Sequence, residues 1–327
     1  MELFTKKTLR LYTGSAHPDL AEEIARHLGV ALGEPNIRRF PNGEIHCRFA
    51  ESVRGTDVFI IQSHTQAGAD SVNDALMEQL VMIDAAKRAS AKRITAVSPL
   101  FGYSRQDRKA EGREPITAKL VADLLTAAGA SRMVSVDLHS GQIQGFFDKP
   151  VDHLTAMPVL LEYCRRECPD DAVIVAPDAG RVKVAERFAQ HLGADLAFVH
   201  KRRVTGAATK VEARGVIGDV QGRRCVIIDD RIDTAGTIVA ASELLVDQGA
   251  TAVWAMATHG VLADPAIDRL KNAPIARVVV TDTVPLPPEK QIDLIEVLSI
   301  ASIVADAIDA VFEDTSVSEI FGGENLA

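Results

Sequence analysis

The sequence predicts an α/β protein built from two doubly wound parallel-sheet domains related by approximate duplication. Three observations predict it. Short apolar runs rich in β-branched residues recur at 57–62, 93–99, 132–138, 172–176, 224–228, 252–258 and 275–280. A helical pattern follows each run, and strands alternating with helices imply parallel sheets covered on both faces. The chain has 327 residues, more than the ~250 to 300 that a single hydrophobic core usually serves.

Composition narrows the function classes. Hydrophobic residues are 47%, charged residues 25% and aromatic residues 5%, the profile of an ordinary globular protein packed with aliphatic side chains. A net charge of −9 and a sequence pI near 5.5 exclude a general nucleic-acid surface, which must neutralise many phosphates. The cysteines Cys47, Cys164, Cys168 and Cys225 are sparse and sit in segments that read as strand or helix, which predicts a reducing cytoplasm. Cys164 and Cys168 have the spacing of one helix face, but no second pair of Cys or His stands at zinc-site spacing. They are expected to be small buried hydrophobes. The start, Met1-Glu2-Leu3-Phe4-Thr5-Lys6-Lys7, lacks a signal-peptide core, and no run approaches ~18 uninterrupted apolar residues, so no membrane span is expected.

Two stretches read as versions of one strand–helix–strand unit. In the first, Val58-Phe59-Ile60-Ile61-Gln62 leads to a helix over 76–88 and a strand at 94–97. In the second, Cys225-Val226-Ile227-Ile228-Asp229 leads to a helix over 238–248 and a strand at 252–255. Asp229 and Asp230 stand where the first copy has Gln62 and Ser63, so the acidic site is expected in one half only. The patterns pause around 149–158, which places the domains at 1–153 and 154–327. Leu298, Ile300, Ile303, Val304, Ile308 and Phe312 predict a helix over 294–312, in the core or an interface and able to pack back on the first domain. The polar, glycine-rich tail over 315–327 is expected to fray.

The strongest local signal is Asp229-Asp230-Arg231-Ile232-Asp233-Thr234-Ala235-Gly236-Thr237. A strand ends in adjacent carboxylates and a tight turn delivers hydroxyls and small residues to a helix start. The N–H groups there point outward and the helix dipole favours negative charge, so a monophosphate fits. Ala235 and Gly236 allow close backbone approach, while Thr234 and Thr237 add hydroxyl donors. Asp229 and Asp230 are suited to accept from sugar hydroxyls or to hold a hydrated magnesium ion. The bland alternative makes Asp233 or Thr234 an ordinary N-cap, which leaves two strand-end acids unexplained.

This nonamer resembles the 5-phosphoribosyl diphosphate loop shared by phosphoribosyltransferases and ribose-phosphate diphosphokinases. Further segments resemble the diphosphokinase family in order from about Leu9 to Phe321. They are Phe40-Pro41-Asn42-Gly43-Glu44, Phe101-Gly102-Tyr103-Ser104-Arg105-Gln106-Asp107-Arg108-Lys109, Asp137-Leu138-His139-Ser140-Gly141-Gln142, Pro177-Asp178, Lys201-Arg202-Arg203 and Gly218-Asp219-Val220. The resemblance implies domains of phosphoribosyltransferase-like type. It implies the substrates ATP and D-ribose 5-phosphate, a Mg2+ cofactor, and the products AMP and 5-phospho-α-D-ribosyl 1-diphosphate for nucleotide and amino-acid biosynthesis. It also implies a homo-oligomer, a hexamer built from dimers, with the active site where strand ends of both domains meet.

The same pattern assigns roles. Arg105 and Gln106 contact ATP; the dense positive charge of the segment Arg105-Gln106-Asp107-Arg108-Lys109 in an acidic protein suits a polyphosphate. Phe40, Asn42, Gly43 and Glu44 hold the adenine from a neighbouring subunit, and a turn at Pro41-Asn42-Gly43 is compatible with that role. A lone histidine after a strand is more often structural, yet His139 matches a magnesium-site position together with Asp178. Lys201 and Arg203 stabilise the transition state from an arm over 204–209 whose small polar residues suit movement. Asp229, Asp230 and Asp233 to Thr237 hold the ribose and its 5-phosphate. Arg231, Glu111-Gly112 and Ala207 depart from the family pattern. A plain phosphoribosyltransferase and a catalytically silent regulatory paralogue are the competing readings; the first needs no ATP segments, and the second is opposed by retention of Lys201, Arg203, His139, Asp178, Asp229 and Asp230.

Overall fold

A computed structural model describes residues 7–68, 70–168, 171–203 and 212–321, and the backbone alone at 201–203 and 212–214. The chain divides into two compact units. One comprises Met1–Thr155, Thr283–Pro285 and Ser299–Ala327; the other comprises Ala156–Asp282 and Leu286–Leu298.

The first unit begins with β1 (Leu9–Thr13) and α1 (Pro18–Leu28), followed by a two-stranded hairpin, β2 (Arg38–Arg39) and β3 (Ile45–His46). Then come β4 (Asp57–Ile61), α2 (Val72–Arg88), β5 (Arg93–Ser98), α3 (Thr117–Ala128), β6 (Arg132–Val136) and β7 (Val151–Leu154). The main sheet runs β1-β4-β5-β6-β7, parallel at every pairing. All of β4 is buried, as both-face coverage demands. One face packs Val58, Ile60 and Ala96 against Met82 and Ile83 of α2 and Val121 and Leu125 of α3. Proline in the first turn and left-handed Gly29 bound α1, and a Ser71–Asp74 capping box starts α2.

In the second unit, α4 (Met157–Glu167), β8 (Val173–Ala176), α5 (Val182–Leu192), β9 (Asp195–Arg203), β10 (Glu212–Ile217) and β11 (Arg224–Ile232) lead to α6 (Gly236–Asp247). There follow β12 (Ala252–Gly260), α7 (Ala266–Asn272), β13 (Arg277–Thr281) and β14 (Ile295–Leu298). The sheet order is β10-β9-β8-β11-β12-β13-β14, with β10 antiparallel and the other pairings parallel. From β8 the chain moves outward one way to β9, then returns to β11 and proceeds the other way. That reversal makes β8/β11 a topological switch point, where ligands of open α/β sheets bind beyond the strand C-termini. The first sheet has no reversal, although β4–α2–β5 and β11–α6–β12 are the same kind of unit.

Three sequence expectations change. The helix expected over 294–312 is two elements: Ile295–Leu298 pairs with β13, and α8 (Ala301–Glu313) returns to the first unit. The apolar run 294–304 fits both periods, and an open sheet edge decided in favour of a strand. The pause around 149–158 is occupied by β7 and the start of α4. The strand expected to stop at 228 runs on to Ile232, with Arg231 opposite His259 and Ile232 opposite Gly260. Among the described residues, no helix is long and apolar enough to cross a membrane.

Candidate active site

At the β8/β11 switch point, Asp229 and Asp230 are the first residues of β11 beyond its buried run. Their side chains are 13% and 9% exposed. The Asp230 N–H donates to Asp229 Oδ1 at 2.8 Å. Arg181, in the turn joining β8 to α5, contacts both: Nε lies 3.2 Å from Asp229 Oδ1 and Nη2 2.9 Å from Asp230 Oδ1. Burial, then the charge of Asp230, pushes the Asp229 carboxyl well above the usual carboxylate range, while Arg181 opposes the shift. Asp178 occupies the end of β8 half-buried, its Oδ1 accepting the Gly180 N–H at 2.8 Å.

Beyond Ile232 the turn is short. Asp233 and Thr234 precede Ala235, whose φ of 59° is left-handed, and α6 begins at Gly236. The position before the helix is therefore Ala235, with no side-chain cap, so the N-cap roles considered for Asp233 and Thr234 are not taken. An alanine in that region carries about 1 kcal/mol or more of strain, the kind of cost found at ligand sites. Two arginines brace the turn: Arg231 Nη2 lies 3.1 Å from Asp233 Oδ2, and Arg269 of α7 donates to the Thr234 carbonyl at 2.9 Å. Arg231, the departure from the family pattern, thus bonds to the loop it interrupts.

The first unit carries the segments that the resemblance assigns to ATP. Phe40–Glu44 is a hairpin turn in which the Gly43 N–H donates to the Phe40 carbonyl and the Phe40 N–H to the Glu44 carbonyl, both at 2.8 Å. Gly43 has φ of 91°, the conformation that suits glycine. Asn42 Oδ1 accepts from the Glu44 N–H, and the Phe40 ring is 43% exposed with the Arg38 guanidinium 5.8 Å from its centroid. Arg39 ties this hairpin to Asp70 and Asp74, each at 2.9 Å.

The loop after β5 is held from within. His64 is buried; its Nδ1 accepts the Gly102 N–H at 3.0 Å and its Nε2 faces Gln79 Oε1 at 2.8 Å. That bonding makes Nε2 the protonated nitrogen, and burial pushes the His64 pKa down to about 4. Gln106, exposed, accepts from the Thr117 hydroxyl at 2.5 Å. Buried Asp107 accepts from Ser140 at 2.5 Å and Gln142 at 2.8 Å, which joins the Arg105-Gln106 loop to the one carrying His139. His153 on β7 accepts the Leu138 N–H at 2.8 Å, fixing the backbone next to His139.

Lys201 and Arg203 end β9 and pair with Arg214 and Glu212 of β10; their side chains, and the arm over 204–209, lie outside the described residues. Sequence reasoning missed Arg181, Arg269, His64 and His153. Each acts on a motif from a different element, and only its position in the folded sheet reveals it.

Comparison with known proteins follows the same outline. The model of the N-terminal domain of ribose phosphate pyrophosphokinase matches residues 9–129, and that of the phosphoribosyl synthetase-associated domain matches residues 203–322. The chain is 56% identical over 319 residues to the ribose-phosphate pyrophosphokinase of Bifidobacterium longum, covering 96% of this chain and 93% of that one. It is 54% identical over 315 residues to the enzyme of the same name from Caldanaerobacter subterraneus, covering 96% and 98%. The crystal structure of phosphoribosylpyrophosphate synthetase from Mycobacterium smegmatis matches with a TM-score of 0.88 at 52% identity, covering 94% of this chain and all of that one.

Proposed function

The chain belongs to the ribose-phosphate pyrophosphokinase family, and from that premise we propose which of its residues carry the family's reaction. The enzyme transfers the diphosphoryl group of ATP to the anomeric hydroxyl of D-ribose 5-phosphate. The hydroxyl oxygen loses its proton and bonds to the β-phosphorus, the bond from that phosphorus to the α–β bridging oxygen breaks, and AMP leaves carrying that oxygen, with 5-phospho-α-D-ribosyl 1-diphosphate as the other product. Such a transfer depends on positioning and on cations around the moving group.

The observation that carries the residue assignment is the β8/β11 switch point, where a strand-end diacid leads directly into an uncapped helix start. There the N–H groups opening α6, with Asp233 to Thr237, receive the 5-phosphate, and Asp229 with Asp230 accept from the ribose hydroxyls. Arg105 and Gln106 hold ATP phosphates, and Phe40, Asn42, Gly43 and Glu44 hold the adenine of a neighbouring subunit. Lys201 and Arg203 neutralise the diphosphoryl group as charge develops.

Magnesium prefers oxygen donors and keeps several waters. His139 and Asp178, named from the family pattern, are the residues proposed to hold it, with water and substrate phosphates completing the shell. When bound, the ion would lower the negative charge that the attacking oxygen meets.

We further assign a homo-oligomer, at least a dimer because the exposed adenine hairpin serves a neighbouring copy in this reading, and a hexamer built from dimers on the family resemblance. The reducing cytoplasm is the proposed compartment, consistent with four free thiols. Incubation with magnesium, ATP and ribose 5-phosphate is expected to release AMP, and Lys201→Ala to reduce that release at least about a hundredfold. AMP release by Lys201→Ala equal to the wild type would remove Lys201 from the mechanism.

A further inference from the structure

Arg181 does what no motif residue can do. Successive residues of a strand point to opposite faces of its sheet, so Asp229 and Asp230, adjacent on β11, should diverge. They converge instead on one guanidinium, which donates through Nε to one carboxylate and through Nη2 to the other. Arg181 reaches them from the turn after β8, the strand beside β11 in the sheet. All three side chains are nearly buried, Arg181 itself being 13% exposed, so the contact is neither a rim pair nor screened by solvent.

We propose that Arg181 is a positioning residue for ribose 5-phosphate, gathering Asp229 and Asp230 onto one ligand and aiming both at the sugar. The inference rests on the assignment of that diacid to the ribose. An ionised carboxylate can accept from a diol through both oxygens, whereas a protonated one must place a donor there as well, and two adjacent buried carboxylates resist joint ionisation. A fork-shaped cation on Oδ1 of each relieves that repulsion and fixes the rotation of both groups. Lysine, a point charge on a flexible stem, can supply the charge but not the two-pronged alignment.

The test uses the full chain. In Arg181→Met, the KM for ribose 5-phosphate should rise on the order of 10- to 100-fold, as expected when one partner of a buried charge cluster is removed. The KM for ATP should stay within about twofold, since the change falls on one substrate. Arg181→Lys should lie between the two, at about three- to tenfold. Isothermal titration of ribose 5-phosphate into each protein reads the same loss without catalysis, and Arg181→Lys carries the test if Arg181→Met does not fold. A ribose 5-phosphate affinity unchanged in Arg181→Lys and Arg181→Met, or equal losses for both substrates, would overturn the proposal. A wild-type protein that releases no AMP yet loses ribose 5-phosphate affinity with Arg181 would sink the reaction assignment and leave Arg181 in its role.

Discussion

Asp229, proposed to bind the ribose, is held at a cost to the fold. Burial and Asp230 raise its folded-state pKa above the ordinary 3.8. The folded protein therefore holds that proton more tightly than the unfolded chain, and stability falls as pH rises from about 4 through the folded-state range. Asp229→Asn removes one of two negative charges facing a single Arg181. Melting temperatures of the variant and wild type should coincide near pH 4 and diverge upward in the variant's favour as pH increases. An unchanged gap across that range would show that Asp229 is not raised. The same variant should bind ribose 5-phosphate more weakly, because the amide presents one acceptor oxygen where the carboxylate has two. Arg231 contributes differently: its pair with Asp233 is part-buried and bound within the phosphate loop, worth ~1 kcal/mol. Arg231→Met is accordingly expected to raise the KM for ribose 5-phosphate about fivefold with kcat unchanged, and a lowered KM would mean that Arg231 obstructs the loop.

The loop after β5, the proposed nucleotide loop, is tied down by buried groups of other segments. His64, at the end of β4, holds the Gly102 N–H through Nδ1 and meets Gln79 of α2 through Nε2. A Cβ on Gly102 would stand 2.8 Å from the His64 Cβ, so Gly102→Ala must push the loop away from β4. It is expected to cost about 1–3 kcal/mol and to raise the KM for ATP; an unchanged KM would detach the buttress from nucleotide binding. His64 titrates near 4 when folded and near 6.5 when unfolded, so the unfolded chain takes the proton first and stability drops as pH falls across that window. His64→Asn, which retains an acceptor and does not titrate, should flatten that part of the urea-midpoint profile. None of this was legible in the sequence, where His64 is one polar residue after an apolar run. Strands such as β4, β11 and β13 were legible because each contains an unbroken buried apolar run, 58–61, 225–228 and 278–280. The edge strands β1 and β7 were not, since Arg10, Asp152 and His153 interrupt the run, and each has a partner elsewhere: Arg10 lies 3.7 Å from Glu51, Asp152 pairs with Arg132 at 2.6 Å and His153 with Leu138. The diacid loop was legible because its chemistry is local, whereas Arg181 and Arg269 are distant in sequence and resemble any other surface arginine.

At the scale of the whole chain, the first unit is not contiguous. After β14 the chain leaves the second unit and forms α8, which packs against α1 and β7 and buries Ile303, Val304, Ile308 and Val311. At its end, Asp314 pairs with Lys7 and Arg93, and Arg93 also pairs with Asp57 at the start of β4. The two Asp314 pairs are largely exposed and add little; the apolar face is what matters, since each buried aliphatic side chain is worth ~1.5–3 kcal/mol. Four such residues come to ~6–12 kcal/mol, comparable to the ~5–15 kcal/mol net stability of a domain. A chain ending at Leu298 retains every residue of the second unit, including Arg181, Asp229, Asp230 and the phosphate loop, yet strips one element from the first. Differential scanning calorimetry of that truncated chain should show the first unit's transition lost while the second unit still melts cooperatively. Ribose 5-phosphate binding should survive and AMP release should not. Two intact transitions would show that α8 is an appendage, and loss of both would show that the second unit depends on the first for folding, so the truncation separates sugar recognition from nucleotide recognition in one experiment.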